Sequence, residues 1–238
     1  MRQSRLPSEI ELAGRAVPLS CRRSRRARRL TLRVDPKHEV ISLTAPQGLA
    51  TREVLAFLDS HRDWLEERVQ ALPPRTPFAV GSLLPILDNP HRIALADGAR
   101  RGVWLTPGRL WVSGRTEHHS RRIEDFLRAE ARRSLSATAR EKAAGLPRKA
   151  NRLRGVSVRD TRSRWGSCTA TGQLNFSWRL LLAPEAAFDY VVAHEVAHLA
   201  YPDHSPAFWA LCEDLSDDME SGRDWLRQRG SQLFRYGG

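Results

Sequence analysis

His194 and His198 stand four residues apart, Glu195 directly follows the first, and His204 lies just beyond Pro202. At about 100° per residue, helix positions i and i+4 point within roughly 40° of one another, one turn apart. Both imidazoles can therefore address one ion from a single face, while Glu195 projects from the adjoining side toward a water on that ion. Pro202 cannot continue the helix, so the backbone turns near Tyr201 and brings His204 back toward the same ion. Three neutral nitrogens with one open position describe a catalytic zinc site, whereas structural zinc usually closes with a fourth protein ligand. In that chemistry Zn2+ is the cofactor and Glu195 the general base. A donor for the developing oxyanion stays open among Tyr201, Arg162 and Arg164.

The surrounding residues support a built site rather than an exposed helix with incidental histidines. Phe188, Tyr190, Val191, Val192 and Ala193 make the preceding segment too apolar for a surface helix. Polar side chains on a buried element need partners, and a metal supplies one. Ser205 and Pro206 form an N-cap and N1 pair for a following helix, which fixes His204 between two helix ends.

The elements that must position these residues divide into a β-rich part, 1–115, and a helical core, 116–238. Residues 9–20 read as a short hairpin turning at Gly14. The basic run Arg22, Arg23, Arg25, Arg26, Arg28 and Arg29 follows, then strands over 30–34 and 40–44 with a turn at 35–38. Apolar residues at helical spacing from Thr51 (Val54, Leu55, Leu58, Trp64, Leu65, Val69) predict one helix, ended before Pro73 and Pro74. Short strands over 78–87, 91–96, 102–105 and 110–112 come next, with Trp104 and Trp111 as cross-strand aromatics. A long helix over 120–144 leads to strands at 156–159 and 173–180, the zinc helix behind Pro184, a helix over 206–219 and a short helix over 224–233. No internal repeat is visible. The fold class predicted is α+β.

Composition bounds the partners. Lys and Arg number 39 against 27 Asp and Glu, a formal charge of +12 that suits anionic partners. The arginine run is a candidate phosphate-binding strip, against the plainer reading of a hairpin with a basic solvent face. No segment reaches the ~18 uninterrupted apolar residues of a membrane span, and the first residues lack the apolar run of a signal peptide. Cys21, Cys168 and Cys212 are odd in number and widely spaced, which reads as reduced thiols in a cytoplasmic protein.

Three further stretches carry a family resemblance: Arg164 to Cys168 (Arg-Trp-Gly-Ser-Cys), Leu174 to Leu180, and Asp203 to Trp209, together with the histidine motif. They resemble the YgjP-like metallopeptidases, zincins related to the SprT-like proteases. The resemblance is strong over about 155–215 and weaker toward the start. It implies a zincin-like helix–sheet–helix core, zinc at His194, His198 and His204, and a peptide or protein substrate. Asp203 departs from the asparagine that the family pattern has before the third ligand. Ser167 and Cys168 have no paired base, so they read as packing beneath the zinc helix, and the strand 173–180 as an edge along which a peptide could align. Two rivals stay in view. An RNA-processing hydrolase would use three histidines at the same offsets but lacks the glutamate. A nucleic-acid module with structural zinc needs a fourth ligand, for which Cys212 is the nearest candidate. A nucleic-acid-associated protease combines the two ideas.

Overall fold

The computed structural model describes residues 6–36, 39–98, 102–161 and 164–237. Part of the predicted turn at 35–38, and Arg162, fall outside them. The chain forms two compact units, Met1–Pro74 and Arg75–Gly238.

In the first unit, β1 (Glu9–Leu12) and β2 (Arg15–Ser24) make the predicted hairpin. Its turn residues Ala13 and Gly14 have φ of 49° and 73°, the paired positive values of a two-residue turn matched to strand twist. β3 (Thr31–Asp35) pairs antiparallel with β4 (Val40–Pro46), and β4 runs parallel to β2, giving the order β1-β2-β4-β3. Leu12, Val17, Leu19, Ile41 and Leu43 bury the inner face against Val54, Leu58, Leu65 and Val69. The helix carrying those four is broken into α1 (Thr51–Ser60) and α2 (Arg62–Gln70). The cause is His61. Its Nδ1 lies 2.9 Å from the Phe57 carbonyl, the acceptor its own amide would use in a continuous helix, and that amide turns to Leu58 instead. Trp64, read from sequence as apolar-face, is 37 % exposed beneath the Arg68 guanidinium. In the basic run, Arg23 bonds the Leu49 carbonyl and Arg25 the Gln47 side chain, while Arg22, Arg26, Arg28 and Arg29 are exposed.

The second unit opens with another four-stranded sheet: β5 (Leu83–Ile86), β6 (Asn89–Leu95), β7 (Val103–Thr106) and β8 (Arg109–Val112), ordered β5-β6-β8-β7. Two antiparallel hairpins again flank a parallel inner pair. The topology repeats although the sequence shows no repeat, because strand pairing constrains only alternation and turns. Trp104 and Trp111 are in register and stacked, with ring centroids 6.3 Å apart. Leu84, Ile86, Ile93, Leu110 and Val112 share one core with Ile123, Leu127, Ala131 and Leu135 of α3 (His119–Ala144). That shared core is why the compact unit begins at Arg75, and the sequence-based boundary after 115 falls inside it.

Behind α3 lies a three-stranded sheet, β10-β11-β9, made of β9 (Gly155–Arg159), β10 (Gly166–Cys168) and β11 (Gln173–Ser177). β11 ends at Ser177, where Trp178–Leu182 forms a 3-10 turn, and it is paired on both sides. It cannot accept another strand. The sheet's edges are β10 and β9, and β10 is the one that packs on the helix carrying the histidines. The helices α4 (Glu185–Ala200), α5 (Pro206–Leu215) and α6 (Met219–Arg229) complete the unit; a 3-10 segment, Gly230–Arg235, closes it where sequence reading had only a short helix.

Long-range contacts fix α4. The Glu185 amide donates to Asp88 Oδ2 at 2.8 Å, so a turn residue of the β5–β6 hairpin caps a helix 97 residues away, satisfying one of its orphan amides. At the other end, Arg152 donates to the Leu199 carbonyl at 3.1 and 2.8 Å. In between, Asp189 pairs with Lys142 of α3 and accepts from Ser216 Oγ and the Asp217 amide. Gly222 lets α6 approach closely, since a Cβ there would lie 2.3 Å from the Ala186 carbonyl oxygen. Buried Arg179 ties the sheet to the C-terminal segment through Asp160 and the Leu233 and Tyr236 carbonyls, each at 2.9 Å. No described helix is long and apolar enough to cross a membrane.

Candidate metal centre

His194 and His198 stand on one face of α4, and His204 returns from the loop ahead of α5. Ligand-capable atoms of the three lie within 4.8 Å of one another. The turn works as its residues suggest. Tyr201 leaves the helix at φ −123° and ψ 110°, and Ser205 caps α5 by accepting from the Phe208 amide with Pro206 at the first position. Phe208, fully buried, packs its ring within 4.5–4.9 Å of all three imidazole centroids. Trp209 stacks on His204 at 5.5 Å.

The donor set suits a metal. His204 Nε2 and His194 Nε2 are 3.2 Å apart, close to the ~3.3 Å that separates two nitrogens sharing one tetrahedral zinc. His198 Nδ1 lies 3.0 Å from the Tyr201 carbonyl. An Nδ1–H donated there leaves the Nε2 lone pair free, the outer-shell bond common to ligating histidines. Burial pushes the His194 pKa down to about 4, with the neighbouring histidines adding to the effect, and burial lowers His198 too. Both are neutral at pH 7, as ligation requires. His194 Nδ1 is buried without a hydrogen-bond partner among the described residues, and the ring's other nitrogen, Nε2, is the one turned toward His204.

Glu195 is 6 % exposed. Burial drives its pKa up to about 7, against the Arg164 charge and the Cys168 backbone amide, which pull it down. Its seat is made by a glycine: a Cβ on Gly166 would fall 2.5 Å from Glu195 Cγ and 2.6 Å from Oε1. Gly166 is thus the part of the Trp-Gly-Ser-Cys element that bears on the site, and single-sequence reading missed it. Trp165 anchors the strand by stacking on Phe234 at 5.2 Å. Replacing Gly166 with alanine must displace the carboxylate while leaving the histidines in place. The expected result for Gly166→Ala is a tenfold or greater fall in kcat at unchanged metal content, measured by hydrolysis assay and metal analysis. Wild-type turnover would show that the seat is irrelevant.

Two clefts meet at Glu195. One, of about 680 Å³, is lined by Gly166 to Ala170, Arg152, His194 and His198. The other, about 410 Å³, lies toward α6 and is lined by Arg164, Trp165, Tyr190, Arg223 and Arg227. Ser167 and Cys168 line the larger cleft, and Cys168 also packs against the main core, as expected from sequence. The Cys168 thiol is raised to about 11 by burial and then by Glu195, so it is not a thiolate nucleophile. Cys212 packs with Ala193, Ala197 and Phe208 and is also raised to about 11. It stands outside the histidine cluster, so among the described residues the structural-zinc reading has no fourth ligand. Of the oxyanion candidates, Arg164 lines the α6-side cleft, Tyr201 lines neither, and Arg162 is not described.

A family model of a YgjP-like metallopeptidase domain matches residues 28–229, most of the chain. The chain belongs to the YgjP-like metallopeptidase family. Searches of curated proteins and of solved structures returned no match. Membership places the chain in a hydrolase class and calls for a metal ion, for which the three histidines supply the one His/Cys/Asp/Glu cluster among the described residues.

The paired shifts at His194 and Glu195 set a pH dependence in this YgjP-like chain without its metal. Glu195 keeps its proton up to about pH 7 in the fold, against a reference value of 4.5. The unfolded chain ionises first, so this group's contribution falls as pH rises between those values. His194 acts oppositely: the unfolded chain holds the proton between about 4 and 6.5, and stability rises with pH. In Glu195→Gln only the histidine slope remains. Metal-free Glu195→Gln should exceed the wild type by up to about 3 kcal/mol at pH 8 and by much less at pH 5. Urea midpoints of the chelated proteins at the two pH values check this. An equal gap at both would contradict it.

Proposed function

We propose that this chain is a zinc-dependent peptidase in which His194, His198 and His204 hold the ion and Glu195 is the general base. The observation that carries the reading is the placement of a buried carboxyl, its pKa raised to about 7, where two clefts meet beside three convergent histidine nitrogens. Zinc, when bound, lowers the pKa of water toward ~7 and polarises a substrate carbonyl. Glu195 takes the proton of the attacking water, keeps it in the shielded pocket and returns it to the leaving amine. Gly166 and the Cys168 amide hold the carboxylate for that transfer. The free edge of β10 offers an extended peptide backbone pairing beside the cleft.

The test is hydrolysis of a casein-type polypeptide by the zinc-loaded chain beside chelated protein and Glu195→Gln, with RNA as a parallel substrate. Peptide cleavage by the zinc-loaded wild type alone supports the reading. Zinc-dependent cleavage of RNA but not of peptide would replace it with the RNA-processing alternative.

A further inference from the structure

The two clefts at Glu195 differ in charge. On the β10 side the nearest guanidinium, Arg152, is committed to the Leu199 carbonyl. On the α6 side Arg164, Arg223 and Arg227 line a cleft of about 410 Å³ with Trp165 and Tyr190. Arg227 pairs with Asp224 at 3.2 Å, whereas neither Arg164 nor Arg223 has a carboxylate partner at salt-bridge distance among the described residues. Arg223 is held in place from two directions. Its guanidinium lies 5.1 Å from the Trp209 ring, which itself stacks on His204. Its backbone is drawn toward α4 by the neighbouring Gly222, whose missing Cβ admits the Ala186 carbonyl. A guanidinium stacked on an aromatic face keeps its in-plane N–H groups for a planar anion, and carboxylates are received that way.

We propose that the α6-side cleft is a specificity subsite for an acidic side chain: Arg164 and Arg223 receive the carboxylate of an Asp or Glu next to the scissile bond. The assignment deepens the peptidase reading and rests on it. The chain's +12 formal charge draws such substrates from a distance, and the two arginines select them at the site. Tyr190, one helical turn before His194, lines the subsite together with that histidine, its ring 5.8 Å from the imidazole.

The experiment compares matched peptides that differ only in Glu or Gln beside the cleaved bond. With the zinc-loaded full chain, the Glu peptide is expected to have a kcat/KM at least about tenfold higher. Arg223→Gln brings that ratio toward one, Arg223→Glu lowers it below one, and Arg223→Lys restores part of it. A wild-type ratio near one, or equal losses on both peptides in the arginine variants, overturns the proposal. A second arm measures binding of the same fluorescein-labelled peptides to zinc-loaded Glu195→Gln. Arginine-dependent preference for Glu in binding, with no cleavage by the wild type, removes the peptidase reading and leaves the subsite standing. Equal binding of both peptides sinks the subsite even if cleavage is seen. Displacement of the Glu peptide by a short oligonucleotide that binds more tightly with the same arginine dependence also overturns it, in favour of a phosphate ligand.

Discussion

Glu195→Gln is expected to keep one zinc per chain and to lose peptide hydrolysis by about 10²–10⁴-fold, the span that a positioned general base contributes. Glutamine keeps the shape and the hydrogen-bonding capacity of the buried side chain but cannot take a proton from water. The loss should appear in kcat, with KM little changed, because in the proposed mechanism the carboxylate acts on the water rather than on the peptide. Metal analysis beside steady-state kinetics separates this from a ligand role. Loss of zinc in the variant would make Glu195 a ligand, and wild-type kcat would end its assignment as base. The same substitution should have the opposite consequence for the metal-free protein, raising its stability at pH 8. A residue whose removal costs turnover while relieving the fold is one whose burial serves chemistry.

Removing the third histidine should be equally decisive for the metal. His204 is exposed, so His204→Ala costs the metal-free fold little. It removes one of three nitrogens from the site. Added zinc at 100 times its dissociation constant stabilises the wild type by about 2.7 kcal/mol, an increase of roughly 5–10 °C in melting temperature for a unit of this size. His204→Ala should lose most of that increase and, with it, activity. Chelation of the wild type should abolish hydrolysis and zinc should restore it. An undiminished shift in the variant would take His204 out of the ligand set, and full activity after chelation would remove the metal from the mechanism.

Legibility from sequence followed the range of the interactions. The spacing of His194, His198 and His204, the stop at Pro202 and the cap at Ser205 are local, and the structure brings those histidines together where helix geometry put them. The long helix behind them was legible from the spacing of Ile123, Leu127, Ala131 and Leu135. What could not be read depends on contacts between distant segments. Gly166 meets Glu195 across 29 residues, Asp88 caps α4 from a hairpin, and Gly222 sets how closely α6 lies. None of these leaves a periodic signal. The break at His61 was missed for another reason: neither proline nor glycine marks it, and a ring nitrogen competing for a backbone carbonyl does the work. The strand over 174–180 read as an edge from its place just ahead of the zinc helix, yet position along the chain says nothing about how many neighbours a strand has.

The contact between Gly166 and Glu195 couples two things usually considered apart. β10 is at once a free edge of its sheet and the wall against which the carboxylate rests. Under the proposed function, a peptide extending this sheet would pull on the same strand that seats Glu195. Docking and alignment of the proton acceptor would then be one mechanical event, and a poorly paired chain would leave the acceptor out of line as well as loosely held. Fidelity in such a site would be read out in turnover number rather than in affinity.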